Sequence, residues 1–166
     1  MATEVYNRGA RKAKIPRPRT IRNSNEFASV MNERIDAIME HLAFIAYDKA
    51  REILEEDWYG RMTPESYERT YELLNALTVR RNSNGHYNLG VDARALTMTP
   101  KNSDDGFISL GQHMGFKDEP VASEIWAYIN EGNKSPILPY AGIDVIGRVE
   151  RYLDSVMDSE IKKFLK

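Results

Sequence analysis

The stretch from Ser24 to Asp57 constrains the fold of this chain most, because its apolar residues recur at intervals of three and four. They are Phe27, Val30, Met31, Ile35, Ile38, Met39, Leu42, Ile45, Ala46, Ile53 and Leu54. That spacing predicts one amphipathic helix of about thirty residues, with Ser24 or Asn25 as its N-cap. At about 1.5 Å per residue it would span about 45 Å, more than the width of a small domain. We therefore expect one part of this helix to pack on the chain's own sheet and another part to meet a neighbouring molecule.

The segment after the long helix changes its period and predicts a short helix followed by a β-hairpin. Pro64 suits the first position of a helix, which we expect to run to Tyr71. Residues Leu73–Arg80 then read as one strand and Tyr87–Met98 as the return strand. The turn cluster NSNG at residues 82–85 lies between them and contains the Asn-Gly pair that favours hairpin turns.

Two further helices complete the expected architecture. Ser123 is expected to cap a helix over Glu124–Asn130, and Gly132 is the glycine just past its end. The last helix is predicted over Ile143–Leu165. Together these elements predict an α+β fold in which a small antiparallel sheet, made of the hairpin and short strands, is packed by the long N-terminal helix and the C-terminal helix.

An extended basic arm over residues 1–24 precedes a single domain that we expect over residues 25–166. The arm has no acidic residue after Glu4, and seven basic ones: Arg8, Arg11, Lys12, Lys14, Arg17, Arg19 and Arg22. Removing these seven from the 23 basic residues of the chain leaves 16 against 25 acidic residues, a balance of −9. Pro16 and Pro18 oppose a helix and favour an extended backbone. Such an arm is expected to dock on an acidic surface of another subunit or partner, or on nucleic acid.

The charge pattern favours a protein partner for the arm over nucleic acid. Each Lys or Arg could contact a phosphate, but Tyr6 is the arm's one aromatic residue, so base stacking is poorly served. The acidic remainder of the chain would repel nucleic acid beyond the arm's reach. A nucleic-acid-binding module that acts through the arm stays as the alternative function.

Composition excludes several classes of protein. Without cysteine the chain can form no disulfide, thiolate metal site or cysteine nucleophile. A hydrophobic content of 42%, with no apolar run near the roughly 20 residues that a bilayer requires, argues against a membrane span. No apolar stretch follows the basic N-terminus, so no signal peptide is expected. A soluble protein, intracellular or carried in a particle, is the expectation.

Few residues carry a signature of catalysis. The chain has no Gly-rich phosphate loop, G-x-S-x-G or H-E-x-x-H motif. His113 with Asp104 and Asp105 is the one grouping that could bind a divalent metal or transfer protons, and Asp-Asp-Gly is also ordinary turn chemistry. His41 is expected to be a core-edge or exposed histidine rather than a ligand, and His86 is expected in solvent. The sequence therefore predicts no enzyme, no cofactor and no metal site.

Three acids close the long helix at its negative end, an unfavourable place for them: Glu55, Glu56 and Asp57. Either a cation of a partner, such as the arm of a neighbouring copy, compensates them, or they form a solvated and fraying helix end.

The segment Ser66–Leu77, with the sequence SYERTYELLNAL, resembles the Y-x-R-T-x-x-L-x-x-S segment of a family of tailed-bacteriophage proteins. These are the tail-completion or head-tail joining (neck) proteins. A long N-terminal helix, here represented by Leu42–Leu54, is also a feature of that family. Residues 125–132, IWAYINEG, resemble its aromatic-x-x-Y/V-x-x-G segment, and a C-terminal helix follows in both.

The resemblance implies a structural protein of the virion without catalytic activity. It implies a homo-oligomeric ring of six or twelve copies at the head-tail junction, which joins the portal or its adaptor to the tail terminator or tube. DNA would pass through the channel of this ring without sequence-specific binding, and assembly would take place in the host cytoplasm. Tyr67, Arg69, Thr70 and Tyr71 would shape the corner between the short helix and the hairpin, and the arm would reach an adjacent acidic subunit.

Overall fold

The computed structural model describes residues 5–6, 16–17, 19–60, 71–82, 85–92, 122–132 and 141–165. Its helices are α1 (Ser24–Ile53), a π-helical segment (Leu54–Tyr59), α2 (Glu72–Ala76), α3 (Ala122–Glu131) and α4 (Val145–Leu165). Its strands are β1 (Val5–Tyr6), β2 (Leu77–Arg81) and β3 (Tyr87–Val91). The predicted α+β class, with long N- and C-terminal helices and an antiparallel hairpin, is confirmed. None of the described helices is both long and apolar enough to cross a membrane.

Helix α1 begins one residue earlier than the sequence predicts, because Asn23 is its N-cap. The Asn23 Oδ1 atom accepts the backbone N–H of Glu26 at 2.9 Å. The Glu26 carboxylate in turn accepts the backbone N–H of Arg22 at 2.7 Å. Asn23, Ser24 and Asn25 are all residue types that favour the N-cap position. The two hydrogen bonds, which resemble those of a capping box, identify Asn23 as the N-cap.

The prediction of a strand over Leu73–Arg80 is wrong in its first half. Residues Glu72–Ala76 form α2, and β2 begins only at Leu77. Leu and Ala are strong helix formers, whereas β-branched residues, which favour strands, start at Thr78. Tyr71 precedes α2 with a left-handed backbone at φ 53°, so the predicted Pro64–Tyr71 helix does not include its last residue. The rest of that helix lies outside the described residues.

The hairpin is confirmed, and a third strand joins it. Strand β2 lies between β1 and β3. In the antiparallel pairing of β1 with β2, Val5 lies opposite Arg80 and Tyr6 opposite Val79. At the turn, Gly85 has a φ of 72° and its N–H donates to the Asn82 carbonyl at 3.3 Å. Strand β3 ends at Val91, and residues 93–98 of the predicted return strand lie outside the described part of the chain.

The chain divides into two compact units. Unit 1 comprises Met1–Lys49, Thr78–Gly90 and Val149–Lys166, and unit 2 comprises Ala50–Leu77 and Val91–Arg148. In unit 1 the buried residues are Phe44, Ala46, Tyr47, Thr78, Val79, Val149 and Phe164. In unit 2 they are Ala50, Ile53, Leu54, Leu73, Leu74, Ala76, Leu77, Ile129, Ile143 and Val145. Unit 1 thus packs α1 with the hairpin and the C-terminal part of α4.

In unit 2 the end of α3 contacts the start of α4. Helix α3 starts at Ala122, so Ser123 lies inside it and is not its cap, whereas Gly132 follows its end with a φ of 83°, as predicted. Helix α4 starts two residues later than predicted. The Asp144 carboxylate caps it by accepting the Gly147 N–H at 3.2 Å. The Asn130 side chain of α3 accepts the Ile146 N–H at 2.9 Å, which ties the two helices together.

Candidate assembly interface

The first two-thirds of α1 is only partly buried. Every residue from Ser24 to Ala43 is exposed or half-buried, and full burial begins at Phe44. Three large apolar side chains in this part are exposed by 52%, 52% and 38%, respectively: Phe27, Ile35 and Met39. Isolated apolar residues are normal on a surface, but several on one helix face indicate an interaction site.

Apolar residues of α1 form a continuous seam at alternating intervals of three and four. We call it the α1 seam; its members are Ala28, Met31, Ile35, Ile38, Leu42 and Ile45. This is the a/d spacing with which helices pack along one another over successive heptads. None of the six is fully buried within the structure. The seam therefore has the spacing of a helix-packing face, of which Ala28 and Ile35 are exposed and the other four members are half-buried.

Two side-chain contacts of α1 within unit 1 lie on other sides of the helix. Asp36 pairs with Arg81 of β2 at 2.5 Å. His41 Nε2 lies 2.8 Å from a carboxylate oxygen of Glu160 in α4. At about 100° per residue, Asp36 is rotated by about 100° from Ile35 in one direction and His41 by about 120° in the other. The hairpin and α4 consequently flank α1, and Ile35 points away from both.

The α1 seam carries no acidic residue. The acids in this part of α1, Glu26, Glu33, Asp36 and Glu40, are all rotated by about 100–180° from Ile35. Arg34 is the charged residue nearest to the seam in this part of α1, about 20° from Ile45, whereas Asp36 is about 80° from the nearest seam member, Ala28. A face of apolar and small polar side chains can be buried without the cost of desolvating a charge.

His41 is held at the edge of the α1–α4 contact. Its ring lies 5.1 Å from the ring of Phe164, centroid to centroid. The Glu160 carboxylate also accepts from Lys163 Nζ at 2.6 Å. Hydrogen bonds from His41 and then from Lys163 lower the pKa of Glu160 from its usual value. This cluster positions the end of α4 beside α1, in agreement with the expectation of a core-edge histidine.

The described part of the basic arm leads directly into α1. Arg17, Arg19 and Arg22 are exposed, and Arg8, Arg11, Lys12 and Lys14 lie outside the described residues. The Arg19 guanidinium pairs with Glu33 at 3.1 Å, fourteen residues along the chain. The segment before α1 therefore runs back along the helix. Docking of the arm on another subunit stays a prediction.

The acidic cluster at the end of the long helix finds cations within its own unit. Glu55 pairs with Arg51 one turn earlier at 2.9 Å. Asp57, whose side chain is 13% exposed, pairs with Arg148 of α4. Neither expectation, a partner's cation or solvent alone, describes these two acids. The pairing of Glu55 with Arg51 could be expected from their separation of four residues on one helix, whereas nothing in the sequence connects Asp57 with Arg148, 91 residues further along.

One of the four family-like corner residues can be placed. Tyr71 is 47% exposed, and its ring stacks on Tyr59 with centroids 4.8 Å apart. Tyr67, Arg69 and Thr70 lie outside the described residues. Tyr71 enters α2 with a left-handed backbone, and the predicted corner between the short helix and the hairpin stays a prediction.

Of the residues considered for catalysis, only His41 and His86 lie in the part of the chain that the structure describes. His86 is exposed beside the hairpin turn, as expected, and Asp104, Asp105 and His113 lie outside the described residues. Among the residues that the structure does describe, no group of three His, Cys, Asp or Glu side chains could hold a metal ion.

No protein-family model, curated protein or solved structure matches this chain. The resemblance to phage neck proteins therefore rests on the quoted segments alone and stays a prediction.

Proposed function

We propose that this chain is a structural protein of a tailed-phage virion. It forms a homo-oligomeric ring at the head-tail junction, joins the portal or its adaptor to the tail terminator or tube, and lines the DNA channel. The observation that carries the proposal is the α1 seam, an apolar helix face of heptad spacing that is only partly buried within its own unit. Such a face suits a protein that works by assembly.

The charge distribution supports the same function. The residues beyond the seven cations of the arm have a balance of −9. A channel wall of like charge lets DNA move without adhering to it. The arm's cations offer the opposite charge to such an acidic subunit, so one chain carries both partners of an electrostatic contact.

Quantitative mass spectrometry of purified virions of the encoding phage tests the proposal, with the copy number scaled to the major capsid protein. Six or twelve copies per particle support a ring at the neck. Absence of the chain from the particle refutes the structural role.

The alternative, a nucleic-acid-binding module, is favoured by one observation. Arg17 and Arg22 are exposed, and within the described residues neither side chain forms an ion pair, in contrast to Arg19. Binding to duplex DNA through the arm would weaken with salt, by a logarithmic slope of about −0.9 per phosphate contacted. A slope that reflects several contacts and disappears when residues 1–22 are deleted favours this alternative, whereas no binding near 50 mM salt eliminates it.

A further inference from the structure

We propose that the α1 seam of one copy packs against a second apolar face, on α4 of the next copy. This inference deepens the proposed ring by naming the two surfaces that meet in it. The α4 face, which we call the α4 ridge, consists of Met157, Ile161 and Leu165 at intervals of four. Met157 is 39% and Leu165 56% exposed, and Ile161 is half-buried.

Both faces have the form that helix packing requires. Rows of side chains four residues apart are the ridges that fit into grooves of a facing helix. The α4 ridge is such a row, and on α1 the seam residues Met31 and Ile35 form a similar row with the neighbouring Met39. Each row is apolar and partly accessible, although its own unit already packs α1 beside α4. A second copy supplies the missing partner for each.

The two faces also differ in charge at their flanks. Glu150, Asp154 and Asp158 are exposed and rotated by no more than about 60° from Ile161 on α4. Arg34 lies at the edge of the α1 seam. The acidic flank of the α4 ridge therefore complements Arg34, whereas another α1 seam offers no acidic residue to pair with it.

A contact between two different faces determines the kind of assembly. When a surface meets its own copy, the contact closes after two subunits. When two distinct surfaces meet, each copy keeps one free face, and addition continues until the ring closes. Pairing of the α1 seam with the α4 ridge is of the second kind, as a ring requires.

Mixing two blocked variants of the purified full-length chain tests this pairing. Ile35→Asp blocks the α1 seam, and Leu165→Asp blocks the α4 ridge; both positions are more than half exposed, so the fold should tolerate them. Ser29→Asp and Ser155→Asp are the matched controls, because both serines are exposed and lie about 120° from Ile35 and Ile161, respectively. Circular dichroism verifies that all four variants are folded.

Sedimentation velocity at low salt then measures the masses. We expect the wild type and both controls to associate at about 100 μM, a concentration at which contacts of micromolar affinity are nearly saturated. Each blocked variant alone should be monomeric, and an equimolar mixture should stop at a one-to-one heterodimer. In that heterodimer the intact α1 seam of the Leu165→Asp variant binds the intact α4 ridge of the Ile35→Asp variant. No intact face is left, so no further subunit can be added.

Three results would overturn the pairing. They are a monomeric wild type, self-association of the Leu165→Asp variant through its intact seam, and a mixture that stays monomeric. The assay needs no virion, so its outcome is independent of the copy-number measurement. If the mixture forms the heterodimer but the chain is absent from virions, the proposed interface stands and the proposed neck function is refuted.

Discussion

Replacement of Gly142 by alanine should destabilise unit 2, and the structure gives the size of the effect. Gly142 has a φ of 75°, a conformation that costs an L-residue about 1–2 kcal/mol. An added Cβ atom would lie 2.6 Å from three backbone atoms at the end of α3, the carbonyl oxygen of Asn130, the carbonyl carbon of Glu131 and the nitrogen of Gly132. Real Cβ atoms essentially never come so close, so the chain must move.

The surrounding backbone is poorly able to give way. The N–H groups of Ile143 and Asp144 donate to the carbonyls of Ile129 and Asn130, each at 2.9 Å. Relief of the clash would lengthen these bonds, and overpacking of this kind costs about 1–3 kcal/mol. When the cost of the positive φ is added to the cost of overpacking, the free energy of unfolding should fall by about 2–5 kcal/mol. For a chain of this size, the melting temperature should then fall by about 5–15 °C.

Gly90→Ala is the matched control, because a Cβ atom at Gly90 in β3 meets nothing within 4 Å. Its free energy of unfolding should change by no more than about 0.5 kcal/mol. Thermal and urea unfolding, both followed by circular dichroism, compare the two variants with the wild type. Equal midpoints for Gly142→Ala and Gly90→Ala would refute the reasoning, since both changes add the same methyl group.

Three further predictions concern single contacts. Because the fold lowers the pKa of Glu160, ionised Glu160 stabilises the fold at pH values above its usual pKa of 4.5, and this contribution should disappear as the pH falls through the lowered pKa. Glu160→Gln should therefore flatten the acid limb of a plot of unfolding free energy against pH. An unchanged acid limb would contradict this. Asn23→Ala should lower the unfolding free energy by about 1 kcal/mol in urea titrations, whereas Asn23→Ser should retain most of it. Arg148→Met removes a cation from the largely buried Asp57 and should lower the free energy of unfolding by about 1–3 kcal/mol. Adding Asp57→Asn to this variant should make the loss smaller, because the carboxylate left without that cation is then removed as well.

Much of α1 could be predicted because its signal is local and repeated. Eleven apolar positions at intervals of three and four leave no other regular structure for that stretch. The Leu73–Ala76 segment was misread because a run of four residues fits either structure. In that segment the left-handed backbone of Tyr71 precedes the helix, and strand β2 begins at Leu77, so these two residues mark the limits of α2. Short segments depend on their neighbours more than on their own propensity.

The sequence by itself determined the α+β class, the long helix and the period of its apolar face. It could not determine the direction of that face, because periodicity describes one helix and not what packs around it. The tertiary structure decided this through contacts between residues far apart in the chain. Asp36 meets Arg81 across 45 residues, and His41 meets Glu160 across 119. These contacts place the hairpin and α4 on the flanks of α1 and leave its apolar seam accessible to another molecule.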